Sequence, residues 1–278
     1  MKLIHVKAAL FTFCFACAPL SQTAYATQYY DPALQICSNQ MVADVGEQMH
    51  IANFAYSQNA YEATAETGGV IVAGVCKVWP KDNDITIVAF AYNAGVADEK
   101  SLILATINSR THAIIARYKS VIQEDAGMRV ENSSLHIDTA RYDLAKGVRA
   151  IGLDMTSGYI PHCEDGGIGS QRTLFVQETD ALRPVLENFI MSEWQYTQGG
   201  NVRCTGPNSP EVITQESQYH IAMSPKYTHG FADLIISATN STHNIESDKT
   251  TKMSTSVQYT LHYDGKTYQR IAPNSSKK

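Results

Sequence analysis

From residue 70 onward the chain alternates between short apolar runs rich in β-branched residues and short polar turns. Val70-Ile71-Val72-Ala73-Gly74-Val75-Cys76-Lys77-Val78-Trp79 is the first such run, and Ile85-Thr86-Ile87-Val88-Ala89-Phe90-Ala91-Tyr92 the second. Pro80-Lys81-Asp82-Asn83-Asp84 between them is turn chemistry, so the pair predicts an antiparallel hairpin. Leu102 to Ile107 and His112 to Ile122 continue the pattern across Asn108-Ser109-Arg110. Further strands are expected at 135–140, 148–155, 173–177, 182–186, 219–223, 234–238 and 256–263. A last one at 268–271 folds back across Asp264-Gly265-Lys266. Before residue 70 the period changes. Met41, Val45 and Met49 recur every four residues, with Leu34, Cys37 and Val42 near that face, which predicts a helix over 32–50. Asp31-Pro32 has the character of its first turn, and the Ala-rich stretch to Gly69 extends the helical character.

Strands with short turns and few helices predict a mainly β fold of antiparallel meanders with a short N-terminal helical segment. The strands group near 70–122, 135–186 and 219–271, each group suited to a propeller blade or to one sheet of a sandwich. No residue-level repeat relates the three. The fifteen tyrosines fit half-buried pleated surfaces. The organisation expected is 1–26, an export signal; 27–69, the helical segment; and 70–278, the β-rich domain. Two polar stretches, Gln198 to Pro210 and Asn240 to Ser256, read as long surface loops.

The first residues alter the reading of charge and cysteine content. Lys2 and Lys7 precede an apolar run, Ala8 to Ala18, and Ala24-Tyr25-Ala26 supplies small residues for a signal peptidase. The run is shorter than the roughly 20 apolar residues of a membrane span, and no later stretch reaches that length. Acylation at Cys17, which would make a lipoprotein, is the competing reading. Phe15 and Cys14 before it fit a lipoprotein site poorly. Cleavage after Ala26 removes two of 22 bases and none of 27 acids, leaving 20 bases and a formal charge of −7. A chain without a basic cluster lacks the footprint that neutralises nucleic-acid phosphates. The expected location is periplasmic or secreted.

Cys14 and Cys17 leave with the signal, so Cys37, Cys76, Cys163 and Cys204 remain. An even count in an exported chain predicts two disulfides. Three connectivities are open; Cys37–Cys76 and Cys163–Cys204 each close a moderate loop within one region. No pair has the C-x-x-C spacing of a zinc or redox site.

Little else carries chemistry. Tyr159 to Gly167 brings His162, Cys163, Glu164 and Asp165 into one loop, a candidate for acid–base work or a metal. The competing reading is a disulfide-anchored turn in which Asp165-Gly166-Gly167 supplies positive φ angles. Adjacent side chains diverge, and a thiol in a disulfide cannot ligate, so no metal site is assigned. Asp82-Asn83-Asp84 lacks the further ligands of a calcium loop. G-x-S-x-G, H-E-x-x-H, G-x-G-x-x-G and Walker motifs are absent, so neither a catalytic residue nor a cofactor is assigned.

His229-Gly230-Phe231-Ala232-Asp233-Leu234-Ile235-Ile236-Ser237-Ala238 resembles the core of FG-GAP-type β-propeller blades, and Tyr263 to Tyr268 resembles a hairpin common in them. The resemblance implies β architecture. The family's calcium ligands are not carried over, because Ser224-Pro225-Lys226-Tyr227-Thr228 holds no carboxylate. The chain as a whole resembles uncharacterised exported bacterial β-rich proteins with Cys-Lys-Val-Trp-Pro and Leu-Arg-Pro-Val-Leu segments, here Cys76–Pro80 and Leu182–Leu186.

Export, disulfides and the missing catalytic motifs point to a binding protein whose partner is a protein or an envelope component. An inhibitor or immunity protein acting on an envelope-targeting enzyme is its sharpest form. The alternatives are an envelope hydrolase with a non-local site around His162, Glu164 and Asp165, and a structural component of a surface assembly.

Overall fold

The computed structural model describes residues 35–56, 68–125, 127–157, 164–200, 212–244 and 249–270; for 249–258 it describes the backbone only. The expected signal segment, and Asp31-Pro32 as a helix start, lie outside these residues. The described elements belong to one unit, Pro32–Lys278.

The fold is mainly β, with one short helix. Helix α1 (Asn39–Met49) is followed by β1 (Ala55–Tyr56), β2 (Val70–Trp79), β3 (Asp82–Tyr92), β4 (Glu99–Asn108) and β5 (Ile114–Gln123). Then come β6 (Leu135–Ala145), β7 (Val148–Met155), β8 (Gly166–Glu178) and β9 (Ala181–Gln198). The chain continues through β10 (Ile213–Thr228), β11 (Phe231–Asn244), β12 (Lys249–Tyr263) and β13 (Tyr268–Gln269). All thirteen strands join one sheet that does not close into a barrel. Neighbours pair antiparallel except β1 with β2 and β5 with β9. The β5–β9 link is a single parallel pair, Arg117 with Ala181, and it is where the first meander meets the rest. At β9 the sheet branches: β8 pairs along most of its length, and β10 pairs only with its second half.

Three apolar clusters show how the sheet folds onto itself. Val42, Val45 and Met49 of α1 pack on Cys76, Val88, Phe90, Ile103 and Ala105. The opposite faces of the same strands, with Val75, Ile87, Ala89 and Leu104, pack on Leu135, Ile137, Ile151, Leu153 and Phe175. The far face of the second group, with Leu144, Leu174 and Val176, packs on Leu234, Ile236 and Leu261. Strands β3 and β4 are therefore buried on both faces, which is why their sequences read as unbroken apolar runs. β5 is covered on one face only and alternates exposed and buried positions.

Several boundaries differ from the sequence expectation. α1 begins at Ser38, whose hydroxyl accepts from the Met41 N–H at 3.2 Å, and ends at His50 in the left-handed region. The residues just before it take another role. Gln35, 5% exposed, accepts from the Ile137 N–H at 3.1 Å and donates to the Ile137 carbonyl at 3.2 Å. Its side-chain amide thus replaces a neighbouring strand at the outer edge of β6. Ala55–Tyr56 is strand, not helix, and 57–67 lie outside the described residues. The loop expected over Asn240 to Ser256 is instead the paired ends of β11 and β12, running from Asn244↔Lys249 inward. Residues 240–244 of β11 are half-buried, and Thr suits such a pleated surface, so polarity there does not mark a loop.

Cys37 and Cys76 form a disulfide, consistent with an oxidising compartment. Cys163 and Cys204 lie outside the described residues. Among the described residues no helix is long and apolar enough to cross a membrane.

Candidate binding groove

An opening lies where the first meander parts from the second. β5 touches β9 at Arg117 and Ala181 and then diverges, so the core between the two groups of strands opens to solvent. The opening holds about 780 Å³. Its floor is Leu102, Leu153 and Phe175, continuous with the central core. Tyr118 lies against Phe175 with ring centroids 4.9 Å apart. Met128, Met155 and Trp194 form the walls, and Ile168, 47% exposed, stands at the lip.

The loop after β5 is braced from below. Glu124, nearly buried, pairs with Lys100 and accepts from the Val130 N–H at 2.7 Å. Asp125 accepts from the N–H groups of Gly127 and Met128 at 2.7 and 2.8 Å, which sets the turn carrying Met128. Across the opening, β8 begins Gly166-Gly167-Ile168-Gly169. These glycines do not take the positive φ expected of a turn; they are strand residues paired with β9. Their small size serves close approach. A Cβ on Gly167 would lie 3.1 Å from Trp194 Nε1, and one on Gly166 would lie 2.8 Å from the Trp194 carbonyl oxygen. The indole therefore lies directly over the β8 backbone. Register shifts between Ile168 and Phe175 bend β8 against β9 at this wall.

Of the loop singled out in the sequence, Glu164 and Asp165 are exposed, while His162 and Cys163 lie outside the described residues. Glu164 lines the groove. Asp165 lines a shallower depression beside it, and its carbonyl accepts from the Tyr196 N–H at 2.7 Å. No cluster of three or more His, Cys, Asp or Glu able to hold a metal occurs among the described residues. Tyr118, Phe175 and Trp194 have no local signature, because they are far apart in sequence and meet only through the β5–β9 junction.

Two polar clusters lie elsewhere. On the β6–β8 face Arg172 donates to Asp154 and to the Tyr142 hydroxyl and pairs with Asp138 at 2.6 Å, while His136 Nδ1 stands 3.3 Å from Asp154. Burial pushes the Asp154 pKa up, but the bonds from Arg172 and His136 outweigh it and hold the carboxyl below its usual range. Burial raises the Tyr142 pKa, so that phenol stays neutral and donates to Asp138 at 2.7 Å. This arrangement is internally satisfied and ties β6, β7 and β8 together.

The second cluster involves the propeller-like segment. Thr228 ends β10, His229 and Gly230 make a turn with φ of 48° and 88°, and β11 follows. Asp233 of β11, 3% exposed, holds His262 Nδ1 at 3.0 Å, and its Oδ1 has no hydrogen-bond partner among the described residues. The Thr228 hydroxyl stands 3.5 Å from that same Nδ1. A relay needs the acid on one ring nitrogen and the nucleophile on the other, so this pair does not form one.

No family model matches the chain, and neither the curated proteins nor the solved structures hold a significant match to it.

Proposed function

We propose that this is an exported binding protein of the cell envelope that holds its partner in the groove between β5 and β8. The observation that carries the reading is the opening itself, an aromatic-walled extension of the core that leaves Ile168 in water. Concave sites with apolar walls and a few polar groups are the usual form of ligand sites, and rigid aromatic anchors bury area at small entropy cost. Export and the disulfide fit a partner met outside the cytoplasm. The sharpest form of the proposal is an inhibitor or immunity protein directed at an envelope-targeting enzyme.

Affinity capture from envelope fractions, with crosslinking, tests this on the chain from Thr27 beside its Ile168→Asp variant. The expected result is a stoichiometric partner held by the first and lost by the second, at equal melting temperature. No partner, or the same partner on both proteins, would remove the groove from the function.

A further inference from the structure

Resting on that reading, we propose that the groove takes an extended, basic polypeptide segment, which adds as a strand to the free edge of β5.

The first argument is the edge. The Arg117 N–H points away from β4, donating to the Asp180 carbonyl at 3.1 Å, whereas the Glu124 N–H points back and donates to Asp98 at 2.8 Å. The β4–β5 register is regular between these two points. In an antiparallel pair the outward groups recur at every second residue, so Lys119, Val121 and Gln123 direct their N–H and C=O groups outward. Beyond Arg117 no strand joins this edge among the described residues. Edge groups of this kind template an incoming strand, whose main-chain bonds give affinity while alternate side chains enter pockets. Tyr118, Ser120 and Ile122 face the groove side of β5, so every second residue of an added strand would meet the aromatic and Met wall.

The second argument is charge. The groove is lined by Asp125, Glu164 and Glu187 and, among the described residues, by no Lys, Arg or His. Glu164 and Glu187 are exposed. Apolar walls with acidic rims favour a strand that alternates apolar and basic side chains, and disfavour an acidic one by like-charge repulsion.

The test uses three capped ten-residue peptides: alternating Val and Lys, alternating Val and Glu, and the Val–Lys peptide N-methylated at alternate residues. Binding is read by calorimetry and by intrinsic fluorescence. The chain has two Trp; Trp79 is buried, so Trp194 reports the groove. The Val–Lys peptide is expected to bind at least tenfold more tightly than either of the others. Its affinity should fall at least threefold in Glu164→Gln/Glu187→Gln, and also in Val121→Pro, which removes an outward N–H and none that β4 accepts. Equal affinity for the Val–Glu peptide, or no loss on N-methylation, overturns the inference. Nile red, a neutral apolar dye, separates the two levels. Dye binding that Ile168→Asp abolishes, with no peptide bound, leaves the groove as a binding site and refutes the strand. Neither dye nor peptide bound refutes both.

Discussion

Replacing Gln35 by Ala tests whether the segment ahead of α1 is structural in the way described. The side-chain amide is the lateral partner of both main-chain groups of Ile137. Ile137 itself is fully buried, so water does not readily replace the lost bonds. An unsatisfied buried N–H costs about 1–3 kcal/mol. The carbonyl retains the Lys77 ammonium at 3.2 Å, so its loss is smaller, and the expected total is about 2–3 kcal/mol. The disulfide should be coupled to this contact, because it pins Cys37, two residues from Gln35, to the strand that carries Lys77. Closing a separation of 39 residues corresponds to about 4 kcal/mol of denatured-state entropy. In a Cys37→Ser/Cys76→Ser background the tether is gone, the segment pays its own ordering entropy, and Gln35→Ala should cost under about 1 kcal/mol. Urea unfolding of the four proteins gives the cycle, with an expected coupling of about 1–2 kcal/mol. Hydrogen exchange at the Ile137 amide should accelerate in the single variant. A cost under about 0.5 kcal/mol in the disulfide-bonded protein, or additive costs across the cycle, would refute the reasoning.

Arg172→Met strands Asp138 and Asp154 as buried like charges and is expected to cost about 3–5 kcal/mol at pH 7, measured by urea midpoints. The deficit should narrow on acidification. In the parent, the Asp154 pKa is held down by Arg172 and His136, so the stability it confers is present above the ordinary carboxylate pKa and is lost as pH falls through the lowered folded value. In the variant, protonation relieves the repulsion instead; an equal deficit at pH 3.5 and pH 7 would contradict this account. Gly74→Ala places a Cβ against the Tyr56 hydroxyl and 2.9 Å from the Phe90 ring, so overpacking should lower stability by about 1–3 kcal/mol, and a melting temperature equal to the parent's would count against that packing.

What the sequence discloses depends on how many faces of a strand are buried. β3 and β4 are covered on both sides, so every position between Ile85 and Tyr92 is constrained and the run is legible. β5 shows its single covered face as alternation. The ends of β11 and β12 carry Ser, Thr, Asn and charge in the sequence, and a polar strand has no pattern to separate it from a loop. Gln35 is illegible for another reason: it is a single polar residue beside the apolar face of Leu34 and Cys37, and its partner is 102 residues away. Long-range main-chain partners leave no trace in local spacing.

The glycines at the start of β8 make the same point about the groove. Asp165-Gly166-Gly167 reads locally as a turn, because Gly is the usual residue for positive φ. Here the reason for small residues is distant: Trp194 of β9 lies against Gly167, and Ser192 occupies the space a Cβ on Gly169 would need. Those contacts let β8 and β9 approach, carry the indole to the wall and leave Ile168 as the large apolar side chain at the lip. Glu164, chosen in the sequence as a neighbour of His162, enters the groove through the strand that follows it. The candidate site is therefore a property of where two strand pairs part. A one-residue change in the β8–β9 register would exchange the faces of Ile168 and its neighbours, closing the lip while leaving every local sequence signal intact.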